Sequence, residues 1–196
     1  MHGLINRAIQ SFVCDTYGAD CWRRATRRAG LGFTQFEAML NYDDGQSRRL
    51  LAALGEVLGR DRAGMLEDLG TYLVSHPRTE ALRRLLRFGG VTYVDFLHSL
   101  DDLPDRARLA VADLQLPALE LREHASGRFS LACGPGLPGF GSVMTGILRA
   151  MADDYGALAT IERERASADG AEVIAITLVE TAFAAGRRFD LGASAR

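Results

Sequence analysis

Tyr93-Val94-Asp95-Phe96-Leu97-His98-Ser99-Leu100-Asp101-Asp102-Leu103-Pro104 is an apolar-periodic run that ends on a proline. Val94, Leu97, Leu100 and Leu103 recur every three residues, with Tyr93 and Phe96 beside them. The spacing predicts an amphipathic helix facing a core. A proline inside a helix removes a hydrogen bond and clashes with the preceding turn, at about 3 kcal/mol. So either the helix stops here, or Pro104 opens a new one, in the first turn where its missing N–H is no loss.

The surrounding composition is that of an ordinary globular protein. The chain has 196 residues, 47% of them hydrophobic, and a net charge of −2. That length fits one domain with a sizeable core. No run of eighteen apolar residues is present, so no membrane span is expected. The opening Met1-His2-Gly3-Leu4-Ile5-Asn6-Arg7 lacks a signal peptide's apolar core, which makes the cytoplasm the default location. All 23 basic residues are arginine, which excludes a Schiff-base lysine and a phosphate-loop lysine. The pairs Arg23-Arg24, Arg27-Arg28, Arg48-Arg49 and Arg83-Arg84 are spread among acids along several helices. They read as solvated faces, and nucleic acid is not an expected partner. Cys14, Cys21 and Cys133 form no Cys-x-x-Cys pair, so neither a disulfide framework nor a structural zinc site is indicated.

Helices are expected at about 2–16, 19–29, 46–58, 62–75 and 78–88, with a short one through Phe33, Phe36 and Leu40. Tyr42-Asp43-Asp44-Gly45 reads as a turn with a capping acid, and Gly18, Gly30, Gly59 and Gly89-Gly90 punctuate the run. After about residue 115 the pattern changes. Residues 116–123 and 128–133 alternate across Ala125-Ser126-Gly127 as a hairpin. A Gly/Pro-rich loop, 134–139, leads into a helix at about 141–155. Residues 160–166 and 172–179 form a second hairpin around Ala168-Asp169-Gly170-Ala171. Helices followed by antiparallel strands with one helix between them predict an α+β fold. The expectation is a single domain over 1–185, helical to about 113 and sheet from 115 to 180, with a loose tail at 186–196.

In order and spacing over roughly residues 1–180, several pieces together resemble one family. They are Met1-His2-Gly3-Leu4-Ile5-Asn6-Arg7-Ala8-Ile9, Tyr17-Gly18-Ala19-Asp20-Cys21-Trp22, Tyr42-Asp43-Asp44, Phe96 to Leu103, the strand proline Pro117, and Val143-Met144-Thr145-Gly146-Ile147-Leu148. The chain resembles the haem nitric-oxide/oxygen-binding (H-NOX) domain, the sensor module also found at the N-terminus of soluble guanylate cyclase. The resemblance implies a haem whose iron is bound by the histidine of a Leu-Asp-x-Leu-His sequence. Here that sequence reads Leu100-Asp101-Asp102-Leu103-Pro104, and proline has no ring nitrogen to coordinate iron. It also implies a Tyr-x-Ser-x-Arg motif that binds the haem propionates. Counted back from Gly146-Ile147-Leu148, those positions fall on Cys133, Pro135 and Leu137. These side chains offer no charge-assisted hydrogen bonds to two carboxylates. What the resemblance leaves is an apolar wall: Pro117, packed on the haem in relatives, with Ile5, Ile9, Leu73, Val74 and Val143. No cofactor is therefore expected, although haem is the family's. Leu73, Val74 and Val143 also hold no donor for bound oxygen, so iron entering this site would discriminate against oxygen and still take nitric oxide.

Other residues compete for the ligand role. His98 lies six residues before Pro104, on a helix about 120° round and about 9 Å away, so it should point elsewhere. His76, before Pro77, reads as a helix end, His124 as a surface residue of the hairpin, and His2 as near the pocket or solvent-exposed. Cys133 is a thiolate candidate, but a buried cysteine acting as a small hydrophobe is the commoner case. No catalytic constellation appears. Asp43-Asp44, Asp101-Asp102 and Asp153-Asp154 are adjacent pairs that diverge on a helix and read as caps and solvated faces. Gly134-x-Gly136-x-x-Gly139 mimics a dinucleotide loop, but its two prolines remove phosphate-binding amides and the surrounding sheet reads antiparallel. The expected function is non-enzymatic: a sensor or signalling module that has lost histidine-ligated haem and acts on a signalling protein partner, or through an apolar small molecule. The alternative is a haem or other tetrapyrrole-binding nitric-oxide sensor with non-standard ligation.

Overall fold

The computed structural model describes residues 1–164 and 170–189. Its contacts divide the chain into two compact units, Met1–Leu69 and Gly70–Arg196. The first contains α1 (Gly3–Tyr17), α2 (Ala19–Arg28), α3 (Asp44–Leu58) and most of α4 (Arg62–Ser75). Ile9, Phe12 and Val13 from α1, Trp22 and Ala25 from α2, and Leu50 and Leu54 from α3 are its buried apolar stripes. The expected acid cap is present, the Gln46 N–H donating to Asp43 Oδ1 at 3.2 Å.

The short helix expected through Phe33, Phe36 and Leu40 does not form. Side chains take the amides a helix would use: the Phe36 N–H donates to Gln10 Oε1 and the Glu37 N–H to Tyr42 Oη. The apolar residues instead make an aromatic cluster. The Phe36 ring meets those of Phe33, Tyr42 and Trp22 at 5.1, 4.7 and 6.2 Å.

In the second unit the end of α4 leads to a 3-10 turn (Pro77–Thr79), α5 (Glu80–Arg87), α6 (Tyr93–His98) and α7 (Leu103–Ala110). The run from Tyr93 to Leu103 is thus not one helix. A capping box starts α6, the Asp95 N–H donating to Thr92 Oγ1 and the Thr92 N–H to Asp95 Oδ2. After His98 the bonds tighten to three-residue steps, Leu100 N–H to Leu97 O and Leu103 N–H to Leu100 O. An apolar spacing of strictly three suits that tighter winding, in which side chains three apart eclipse. Leu97, Leu100 and Leu103 are all buried. Of the two readings of Pro104, the second holds: it stands in the first turn of α7.

Then come β1 (Leu119–Ala125), β2 (Arg128–Cys133), α8 (Phe140–Tyr155), β3 (Leu158–Arg163) and β4 (Glu172–Glu180). The strands form one antiparallel sheet in the order β1-β2-β4-β3, which makes the fold α+β. Ala168 and Asp169 of the expected turn lie outside the described residues. Leu131, Cys133, Ile161, Ile174 and Ile176 bury one face of the sheet in the same core as Met144, Leu148 and Met151 of α8. α4 reaches α8 through Gly70, where a Cβ would lie 2.0 Å from the Val143 carbonyl oxygen. α5, α6 and α7 lie in the second unit and share the core of the sheet. The tail expected to be loose from Gly186 is pinned as far as Phe189, because the Arg187 N–H donates to the Asp154 carbonyl at 2.8 Å and Arg83 donates to the Arg188 carbonyl at 3.0 Å.

Candidate functional site

Cys133 ends β2, in register with Leu119 on β1 and Glu172 on β4. It is 1% exposed, and burial, with the Glu172 charge behind it, pushes its thiol up to about 12. Glu172 then reaches across to the loop before α8, where the Gly139 N–H donates to its Oε1 at 2.8 Å. Gly141 makes room for it, since a Cβ there would stand 2.7 Å from Glu172 Oε2. A carboxylate at the start of a sixteen-residue helix is favourably placed against the helix dipole. The 134–139 loop is fixed at both ends, the Gly134 N–H donating to the Ala118 carbonyl and the Phe140 N–H to that of Leu137. Pro135 is exposed, whereas Leu137 packs against the core.

The structure brings Val74, Cys133, Leu137 and Val143 into one apolar cluster of the second unit. Pro117 is buried in the same unit, and Leu73 and Pro104 are half-buried. Ile5 and Ile9 belong to the first unit, Ile9 in its core and Ile5 half-buried.

Each histidine has its own local role. His98 is exposed, with Nε2 3.6 Å from Glu123 Oε2 and its ring edge-on to Phe129. His2 is buried and caps α1 through Nδ1, which accepts the Leu4 N–H at 3.2 Å. His76 caps the 3-10 turn, and His124 lies on the surface beside Ser130 Oγ at 2.7 Å. Among the described residues no group of three His, Cys, Asp or Glu is arranged to hold a metal ion, and no helix is long and apolar enough to cross a membrane.

The residues that the resemblance assigns to haem holding do not have the chemistry for it: Pro104 has only an amide nitrogen, Pro135 and Leu137 have no side-chain donor, and Cys133 is a buried thiol whose proton is held by burial. The Glu172 carboxylate at the start of α8 has the sign that repels a propionate, and the nearby Arg163 guanidinium is engaged with Ser142 Oγ at 2.9 Å.

Sequence reading missed two features. Glu172 shares the inward face of β4 with Ile174 and Ile176, an alternation that marks it as an acid turned to the core. Asp154 and Arg83, read as members of solvated pairs, are a buried ion pair, with Arg83 Nε donating to Asp154 Oδ1 at 2.7 Å. The signal for Asp154 is its place one turn beyond Met151 and two beyond Ile147 on the apolar face of α8.

The family model described as Haem-NO-binding matches residues 2–163. Soluble guanylate cyclase gcy-31 of Caenorhabditis elegans is 26% identical over 126 residues, 64% of this chain and 18% of that protein. Soluble guanylate cyclase gcy-34 of the same organism is 26% identical over 156 residues, 78% of this chain and 23% of that protein. The chain therefore spans about a fifth of the length of these relatives. Among solved structures, the Fe(II) unliganded H-NOX protein from K. algicida superposes with a TM-score of 0.79 at 15% identity, covering 92% of this chain and 98% of that one. The I5F mutant of T. Tengcongensis H-NOX gives 0.76 at 17%, covering 92% and 99%.

Proposed function

Because the chain belongs to the haem-NO-binding family, we propose that it is a non-catalytic sensor or signalling module that works without histidine-ligated haem. The observation that carries this reading is Glu172, whose carboxylate is closed on the Gly139 N–H at the loop where the family's propionate partners would stand. Pro104 supports it from the other end of the haem-holding chemistry, since it opens α7 and brings no metal ligand. Phe140 and Leu137 pack against the core of the second unit and supply bulk there that does not depend on a cofactor. The output is contact with a signalling protein in the cytoplasm, with an apolar small molecule as the input that Val74, Leu137 and Val143 would tolerate. Its curated relatives are named soluble guanylate cyclases, and the chain's role in such a system is regulatory. The test is to purify the protein from cells supplied with haem precursor, record its absorption and melt it. The expected result is no strong band in the violet and a cooperative melt. A stoichiometric haem band would overturn the proposal in favour of a haem sensor with non-standard ligation.

A further inference from the structure

The described end of the chain is attached to α8 and α5 by contacts of several kinds. Gly156 and Gly186 cross at close range: a Cβ on Gly156 would lie 2.1 Å from the Ala184 carbonyl oxygen, and one on Gly186 would lie 2.8 Å from the Tyr155 carbonyl. The Ala184 N–H donates to the Gly156 carbonyl at 3.0 Å and the Arg187 N–H to that of Asp154 at 2.8 Å. Phe189 lies against two guanidinium groups, 5.0 Å from Arg87 Cζ and 5.8 Å from Arg83 Cζ.

Arg87 is the hinge of this arrangement. Its guanidinium also sits 3.8 Å from the centre of the Tyr155 ring, so two aromatic residues share one cation. Tyr155 in turn donates its hydroxyl to the Gly90 carbonyl at 2.9 Å and packs on Tyr93 and Phe96 at 6.1 and 5.9 Å. Gly90 abuts Asp95, the partner of Thr92 in the α6 capping box, since a Cβ on it would overlap that of Asp95 at 2.0 Å. The contacts thus run without a gap from the start of α6, through Tyr155 and Arg87, to Phe189.

The attachment is also frustrated. Among the described residues Arg87 Nε and Nη1 are buried with no hydrogen-bond partner, although Nη1 forms an ion pair with Asp154 Oδ2 at 3.6 Å. Buried donors without partners favour any state in which they reach water. Release of the strap would give Arg87 that access, which offsets part of the lost packing.

We infer that residues 184–189 form a releasable strap whose docking is coupled, through Tyr155 and Arg87, to the start of α6. The coupling is reciprocal: what loosens the start of α6 loosens the strap, and the reverse. This goes beyond the proposed function and holds whether or not any cofactor binds.

Hydrogen exchange by NMR on the full chain tests it, with each rate taken relative to the core amide of Leu131 so that global unfolding cancels. Tyr155→Phe keeps the ring and removes only the bond to Gly90. It should speed exchange at Ala184 and Arg187 by about threefold or more. Phe189→Ala should speed exchange at Val91 and Thr92, whose N–H groups donate to Asp95. If either variant changes only its own end, or neither end changes relative to Leu131, the coupling is refuted.

Discussion

A thiol 1% exposed beside a carboxylate, Cys133, has a pH signature that can be worked out in advance. Its folded value lies at about 12, above the ordinary 9.0. The folded state therefore holds the proton that the unfolded chain gives up. The resulting stabilisation is complete below pH 9 and is lost as pH rises from 9 towards 12. Cys133→Ala should flatten the alkaline limb of a urea-denaturation series, and an unchanged limb would contradict the assignment. At pH 7.5 Cys133 should also resist thiol-labelling reagents until the protein unfolds. Its role as a small buried hydrophobe was legible from the apolar alternation of β2, but its pairing with Glu172 was not. That pairing depends on the register of two strands 39 positions apart, and no local pattern encodes register. Arg83 and Asp154 were opaque for the same reason: charged residues are seldom fully buried unless paired, and their partnership spans 71 positions.

Among the elements, the α6–α7 junction was the most misleading to read and is now the simplest to test. The three-residue spacing of Val94, Leu97, Leu100 and Leu103 resembles an amphipathic helix, yet the chain winds tightly through 99–102 and restarts. Pro104 in the first turn of α7 loses no hydrogen bond it would otherwise make. Pro104→Ala should therefore shift stability by less than about 1 kcal/mol. A gain near the roughly 3 kcal/mol of an interior proline would show that the helix wants to be continuous. Gly70 makes the opposite case. Alanine there would gain about 1 kcal/mol of helix propensity. Its Cβ would meet the Val143 carbonyl oxygen at 2.0 Å, however, and forcing two helix backbones apart costs about 1–3 kcal/mol. Against a rigid backbone atom that cost lies in the upper half of its range, so the clash outweighs the propensity by about 1–2 kcal/mol and lowers Tm by about 2–8 °C. An unchanged or higher Tm would place α4 and α8 further apart than they are here.

At the scale of the whole molecule, the order of helices and strands was legible because each element carries its own period, and that order gave the α+β class directly. The family is legible in short pieces at matching intervals, and a family model over residues 2–163 shows it, while the fold is shared with solved structures at 15–17% identity. The division at Gly70 was not legible, because the helical period of α4 runs through it unbroken. The claim that remains to be measured is that the two haem-holding ends of the family's site are absent, with Pro104 at one and Cys133, Pro135 and Leu137 at the other. Haem titration should compare the wild type, Pro104→His, and the quadruple variant that adds Cys133→Tyr, Pro135→Ser and Leu137→Arg, each first shown to melt cooperatively. Restoring the imidazole alone leaves propionates beside Glu172 without partners, so its uptake should be weak. The quadruple variant should bind at least about tenfold more tightly than Pro104→His, a difference of about 1.4 kcal/mol, and the wild type most weakly of the three. Wild-type binding as tight as that of the quadruple variant would contradict the account.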